Sequence, residues 1–542
     1  MPDRSKDAAR EAPSPAHDEP SVPSTVEAVV IGAVIGALLC VLNVLVLFRS
    51  GTPFGGAALV VLLAAVLLRL RSRLNQHRLL VAFSVASSGY FATAALDTGI
   101  VAIWLRTGTV PDWPLLVGIA VAANLAGIVI GRIVAGSFAV RQPLPYPTLQ
   151  PAVILIDTAV RRAHGGGRVL SCAALVGGAV ASAGILTGTE LLPLAPLKPP
   201  WLGVALSPLL LGLGALIGSR ASISIAAGSL YSGLVWQAQG ESVPFGAHLA
   251  LPAILSIGVG LALGQSLVLI SRISRPLAGA AAASARRHHR IAASAGGVLV
   301  AMLAWQAGVV GTIMLIAGMI LLYTHLMNRV GGEAGFAPVA PVMYLSVAVF
   351  AVLQFPTQVA LFIASSICCA AIGSVYYTFT VKVVVSVHGG SAAMPNRRIM
   401  WTQAVGGIAG SIVGVAFVLS LVHGGAVDGS RFPVPVAQAV SLVESSARHS
   451  ASYASWVGIA LAGGTILGAL LTFTPALPTM LGLGVLLPPA FGLTIALGGL
   501  ARMLLLRRRP EWKIQVDQAA SGLIIGEGVV VIAALVAGRL IT

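Results

Sequence analysis

The stretch "SGLIIGEGVVVIAALV" (Ser521–Val536) sets a single carboxylate, Glu527, amid apolar and small residues. In water such an acid turns to solvent at no cost. At a bilayer centre an ionised carboxylate costs about 2.5–3.5 kcal/mol on insertion scales. The solvent must therefore be known first, and composition supplies it. The chain of 542 residues is 57% hydrophobic and 9% charged, with mean hydropathy +0.93. A soluble domain carries about 25% charged residues, and no soluble core of this length hides so much apolar side chain. The chain reads as an all-α polytopic membrane protein.

The net charge of +16 has the sign expected of a nucleic-acid binder, but its placement argues against that partner. Arginine gathers in short gaps between apolar runs: "RLRSRLNQHR" (69–78), "RRHHR" (286–290) and "RRRPEWK" (507–513). Cytoplasmic loops obeying the positive-inside rule look like this. The loops at 69–78, 272–290 and 502–513 are thus expected inside, and those at 188–200 and 237–245 outside. Cys40, Cys172, Cys368 and Cys369 all fall inside apolar runs, without the spacing of a zinc site or a disulfide framework. No HExxH, GxSxG or GxxxxGK[ST] occurs, so neither a metal site, a cofactor nor an enzyme is expected. Residues 1–24 mix both charges with Pro and Ser, lack the apolar core of a signal peptide, and read as a disordered cytoplasmic tail.

A span takes about 20 apolar residues. Candidates run at 26–48, 54–70, 79–104, 112–139, 167–188, 200–217 and 246–271, then at 291–309, 311–328, 337–354, 357–380, 399–422, 452–474 and 515–540. Four further segments are interrupted by Gly, Pro or polar residues: 144–160, 219–236, 379–395 and 482–506. Together they predict about 16 membrane elements. Three short stretches repeat in order: 168–178 with 397–407, 223–230 with 493–500, and 256–260 with 524–528. That order predicts two related halves, 25–275 and 291–542, joined by a basic linker at 276–290. Interrupted segments at corresponding places in two halves point to a transporter's central site, because unwound backbone is tolerated at membrane depth only inside protein or beside a wet cavity. The pairs Gly406/Gly410/Gly414, Gly214/Gly218 and Gly260/Gly264 read as close-packing faces.

The run "GVLLPPAFGLTIALGGLARMLLLRRRPEWKIQVDQAASGLIIGEGVVVIAAL" resembles the end of oligopeptide transporter family proteins. There a Gly-x-Gly-x-x-x-Pro-Pro stretch leads to a closing Ser-Gly-Leu-Ile-x-Gly-Glu helix. "LPYPTLQPAVILIDTAVRRA" is similar to the family's Leu-Pro-Phe-Pro segment, and "NRVGGEAGFAPVAPVMYLS" to its Gly-Glu-x-Gly-x-x-Pro segment. "VKVVVSVHGGSAAMPNRRIMWTQAVGGIAG" is similar to its Lys-x-Gly…Pro-x-x-Gln…Gly segment. The likeness runs over about 75–540. It implies a secondary transporter, usually proton-coupled, for small peptides or metals held by amino-acid-like chelators, built from about 16 elements in two halves.

Five ionisable residues sit where lipid would be costly: Asp97, Asp157, Glu333, Lys382 and Glu527. Acids there are candidates for proton coupling, with Asp97, Glu333 and Glu527 foremost. Lys382 is one of four lysines against 29 arginines, and its cation suits a substrate carboxylate or one of the acids. Asp157, Tyr146 (between two prolines) and Gln403 complete the expected substrate site. The partners are then a small or peptide solute, protons and the bilayer of the cell (plasma or inner) membrane. Self-association as a homo-oligomer stays open. A channel is the rival reading, since it too needs polar groups at mid-depth. An intramembrane enzyme ranks lower, because no nucleophile–base pair or metal cluster is visible.

Overall fold

The computed structural model describes residues 22–50, 56–71, 74–142, 144–161, 166–187, 191–193, 203–239, 245–249, 251–274, 309–335, 339–387, 396–425 and 434–536, with single positions at 243, 337 and 427. The linker at 276–290, the tail up to residue 21 and the span expected at 291–309, apart from Val309, lie outside the described residues. Among the described residues ten helical stretches are long and apolar enough to cross a membrane, one of them, Gln76–Thr107, made of two consecutive helices. Shorter apolar helices at Ala57–Leu70, Pro208–Ile217, Pro252–Gln265 and Val339–Val352 join them.

Helix ends follow from local chemistry. Asn75 caps Gln76–Gly89 by accepting the Arg78 N–H at 2.8 Å, and Ser450 caps Ala451–Leu471 through the Tyr453 N–H at 3.1 Å. Proline opens Pro208–Ile217, Pro435–His449, Pro478–Leu486 and Pro489–Arg508, where its missing N–H loses no bond. One departure from the all-α expectation is a two-stranded ribbon, Leu191–Pro193 antiparallel to Gly203–Ala205. Its Ala205 N–H is satisfied by the Thr494 hydroxyl at 2.8 Å, so this short extended piece fits within a helical protein.

Burial separates inner from outer helices. The apolar window of Gln76–Thr107 is 100% buried and that of Thr357–Val387 78%, against 17% for Arg168–Thr187 and for Ala451–Leu471. The first two form the interior; the last two turn most of their surface to lipid. Helices gain little from apolar burial when lipid is the alternative, so small residues and close backbones hold them together. A methyl at Gly410 would collide with the Gly89 carbonyl, and one at Gly89 would lie 3.1 Å from the Gly36 Cα. These glycines bind Val22–Ser50, Gln76–Gly89 and Asn396–His423 into one three-helix contact. Gly264 plays the same part between Pro252–Ser274 and Ala451–Leu471. The helices Ser219–Gln239 and Pro489–Arg508 also pack together, with Gly492 against Ser229 and Gly499 against Ser222.

Several expectations need correction. The span read at 79–104 is two helices, Gln76–Gly89 and Ala94–Thr107, parted at Tyr90–Thr93. Conversely, 219–236 lies within one unbroken helix, Ser219–Gln239, and Thr357–Val387 continues through 379–387. Serine and glycine do not break the helix there. Ser224 bonds back to the Arg220 carbonyl at 3.1 Å, and Gly228 supplies a close contact rather than a turn. The other interrupted segments do break: a π-turn at Gly136–Arg141 and a 3-10 turn at Pro147–Leu149 precede Gln150–Arg161, and Leu487–Pro488 parts Pro478–Leu486 from Pro489–Arg508. Gly218 is not a packing position. Its φ of +84° makes it the joint between Pro208–Ile217 and Ser219–Gln239.

Candidate functional site

The segment 144–149 crosses the end of Val309–Ala334, and three predicted residues meet there. Tyr146, held between Pro145 and Pro147 at φ +46°, donates its N–H to the Gly332 carbonyl at 2.8 Å. Thr148 donates its hydroxyl to the Gly335 carbonyl. Gly332 leaves room for this crossing, because a methyl there would strike Leu144. The buried Tyr146 ring stands edge-on to Phe379, 5.6 Å between centroids, and its hydroxyl has no hydrogen-bond partner among the described residues.

Lys382 comes in from Thr357–Val387. Its ammonium lies 5.4 Å from the centre of the Tyr146 ring and donates to the Ala139 carbonyl at 3.3 Å, in the π-turn. It is half-buried, and no carboxylate pairs with it among the described residues. Glu333 is buried and paired instead with Arg329, one turn earlier, whose guanidinium also donates to Gln142 Oε1 at 2.9 Å. Beside Glu333 lies Thr479, which also lines an apolar cleft with Val259, Leu326, Val330 and Leu483. The arrangement offers a cation, an aromatic face, an unused phenol and a paired acid around an unwound crossing. An ammonium over a ring face with donor capacity to spare suits a carboxylate.

Gln403 is fully buried in a different place. It donates to Ser87 Oγ at 3.1 Å and Thr380 Oγ1 at 2.6 Å, and Ser87 and Thr380 are 3.0 Å apart. Thr380 and Lys382, two residues apart on one helix, do not share a face. The structure therefore groups Tyr146, Glu333 and Lys382, and sets Gln403 in a polar knot joining Gln76–Gly89, Thr357–Val387 and Asn396–His423. Asp157 lies on the exposed side of Gln150–Arg161.

The two remaining acids differ sharply. Glu527 is half-buried and accepts from the Ser207 hydroxyl, at 3.0 Å and 2.9 Å to its two oxygens, and from the Leu209 N–H at 2.7 Å. It sits at the N-terminus of Pro208–Ile217, where a negative charge is favoured. Asp97 is fully buried. One of its oxygens accepts from Thr93 at 2.7 Å; the other has no hydrogen-bond partner among the described residues.

Sequence reasoning missed Glu444, which lies between the spans read at 399–422 and 452–474. Glu444 is fully buried, 2.7 Å from Arg448 and 3.3 Å from Arg106, and accepts from Thr357 at 2.8 Å. The available signal was the Glu444–Arg448 pair, four apart in an amphipathic stretch. Among the described residues, no group of three or more His, Cys, Asp or Glu side chains is placed to hold a metal ion.

The sequence model of one family, OPT oligopeptide transporter protein, matches residues 290–537. That range holds three of the four motif segments, while "LPYPTLQP" precedes it. No curated protein matches the chain.

Proposed function

We propose that this chain, which carries an OPT oligopeptide transporter domain over residues 290–537 and is a multi-pass membrane protein, is a proton-coupled secondary transporter of small peptides or peptide-like metal chelates. In this reading Lys382 receives the substrate's carboxylate, Tyr146 lines the same site, and Glu333 with Arg329 forms its wall. Gln403 holds the adjoining helices in register, and Asp157 lies at the site's approach. The two halves, 25–275 and 291–542, together supply about 16 elements; the order of the three short sequence repeats supports that division. The cell membrane is the proposed location.

The observation that carries the reading is Lys382: a cation half-buried near the C-terminal end of a long interior helix, set against the Tyr146 ring and with no carboxylate partner among the described residues. Such a charge in a span is expensive and calls for an anion. A channel, by contrast, gains nothing from a charge held against an aromatic ring beside a packed crossing. The test is uptake of labelled trialanine and of an iron–amino-acid chelate by proteoliposomes. Saturable accumulation driven by an inward proton gradient supports the proposal. Flux that never saturates and never exceeds equilibrium overturns it.

A further inference from the structure

The break at Tyr90–Thr93 was not foreseen, and it divides the most deeply buried span of the protein. Several of its loose groups find partners. Asn43 donates to the Tyr90 carbonyl at 3.3 Å, and the Ala92 N–H reaches the Gly89 carbonyl at 3.2 Å. Thr93 faces two ways: its hydroxyl donates to Asp97 Oδ2 at 2.7 Å and lies 3.4 Å from Cys40 Sγ. Cys40 in turn lies 3.7 Å from the Gly410 carbonyl on Asn396–His423. A methyl at Gly414, one turn on, would collide with Thr93. Asp97 is thus tied through Thr93 and Cys40 to the helix that bears Gln403. Seven residues, about 10 Å of helix, separate Gln403 from Gly410.

Among the described residues, no element packed on Ala94–Thr107 brings a cation to this level. Val22–Ser50 presents Cys40, Thr357–Val387 presents Cys369, and Tyr90 with Tyr376 closes the break. Val339–Val352 carries Tyr344 alone as a titratable group. On Asn396–His423 the charged or titratable residues Arg397, Arg398 and His423 stand at the ends. On Pro435–His449, Glu444 is paired with Arg448 and with Arg106, the latter nine residues or about 13 Å beyond Asp97, and His449 stands at the helix end. A bare carboxylate in this setting would be a buried, unpaired ion. Glu333 has Arg329 and Glu527 has a helix terminus, so both can hold a charge where they are.

We propose that Asp97 carries the coupling proton: the carboxyl is neutral in this packed state and ionises only when movement of Asn396–His423 against Thr93 admits water. This rests on the transporter reading above and assigns the proton to one of its three candidate acids. Deprotonation then favours the opened state, so proton loss and helix movement occur together. Thr93 is a positioning residue; Asp97 is the group that binds the ion.

Infrared difference spectra of the purified protein between acid and alkaline buffer test the assignment without any substrate. The stretch of a protonated, buried carboxyl is expected at neutral pH in the wild type, in Glu333→Gln and in Glu527→Gln, and is expected to be absent in Asp97→Asn. Thr93→Val keeps the carboxyl but shifts its band, which serves if Asp97→Asn does not fold. In proteoliposomes Asp97→Asn is expected to lose accumulation of trialanine under a proton gradient while keeping trialanine counterflow. A band unchanged in both Asp97→Asn and Thr93→Val, or driven uptake equal to wild type in Asp97→Asn, overturns the proposal, as does wild-type uptake driven by sodium and not by protons. If the wild type accumulates no trialanine, the transport reading fails for that probe, and the spectra still decide Asp97.

Discussion

Replacing Glu444 by alanine removes the one anion between two arginines. At an effective dielectric of about 20, its contacts at 2.7 Å to Arg448 and 3.3 Å to Arg106 are worth about 6 and about 5 kcal/mol before desolvation. Stripping water from the carboxylate and both guanidiniums cancels much of that gain, so the intact cluster adds little net stability. Its removal is another matter. Breaking a buried pair by deleting one partner costs about 3–5 kcal/mol, because the remaining charge stays in place unpaired. Arg106 is 33% exposed and can turn to water, whereas Arg448, 17% exposed, is also held by the Phe355 carbonyl. The lower end, about 3 kcal/mol, is therefore expected for Glu444→Ala. The double variant Glu444→Leu with Arg448→Met should recover most of the loss, because neither retains a buried charge. Denaturant midpoints of the detergent-purified proteins read both. A Glu444→Ala protein within about 0.5 kcal/mol of wild type would refute the reasoning.

The same measurement checks two further expectations. Glu527→Ala loses charged hydrogen bonds to Ser207 and Leu209 and should fall by about 1.5–3 kcal/mol, with Glu527→Gln about 1 kcal/mol below wild type; equal stability for all three would mean the cap contributes nothing. Gly406→Ala drives a methyl into the Val85 carbonyl and should cost about 1–3 kcal/mol, while Gly463→Ala, with nothing within 4 Å, should be neutral or gain up to about 1 kcal/mol. The opposite order would contradict the glycine-packed contact between Gln76–Gly89 and Asn396–His423.

Hydropathy made the membrane class and most spans legible, because lipid demands long apolar helices whatever their packing. Val339–Val352, Thr357–Val387 and Ala451–Leu471 fall close to where the apolar runs put them. Breaks were legible only where proline makes them, as at Pro145–Pro147 and Pro488–Pro489. The break at Tyr90–Thr93 contains no proline or glycine; it exists because tertiary partners such as Asn43 satisfy its backbone, and no local pattern encodes that. The mistaken breaks in 219–236 arose from the converse error, since serines bonding back along the helix keep it continuous. The meeting of Tyr146, Glu333 and Lys382 was visible as separate oddities, a proline-flanked tyrosine, a glutamate after two glycines and a rare lysine. Their convergence depends on helices far apart in sequence. Only half of the Glu444 cluster was legible: Arg448 stands four residues on, but Arg106 lies more than three hundred residues away.

The most direct test of the account is binding of trialanine and of its C-terminal amide to the purified wild type and Lys382→Met. The variant gives up one hydrogen bond to Ala139 and a ring contact, about 1–2 kcal/mol, and should fold. A charged hydrogen bond to the substrate is worth about 1.5–3 kcal/mol, so wild type should prefer the free carboxylate by about tenfold or more. Lys382→Met should bind both peptides weakly and alike. A folded Lys382→Met that keeps the wild-type preference, or a wild type that shows none, would contradict the claim that this lysine receives the substrate's carboxylate.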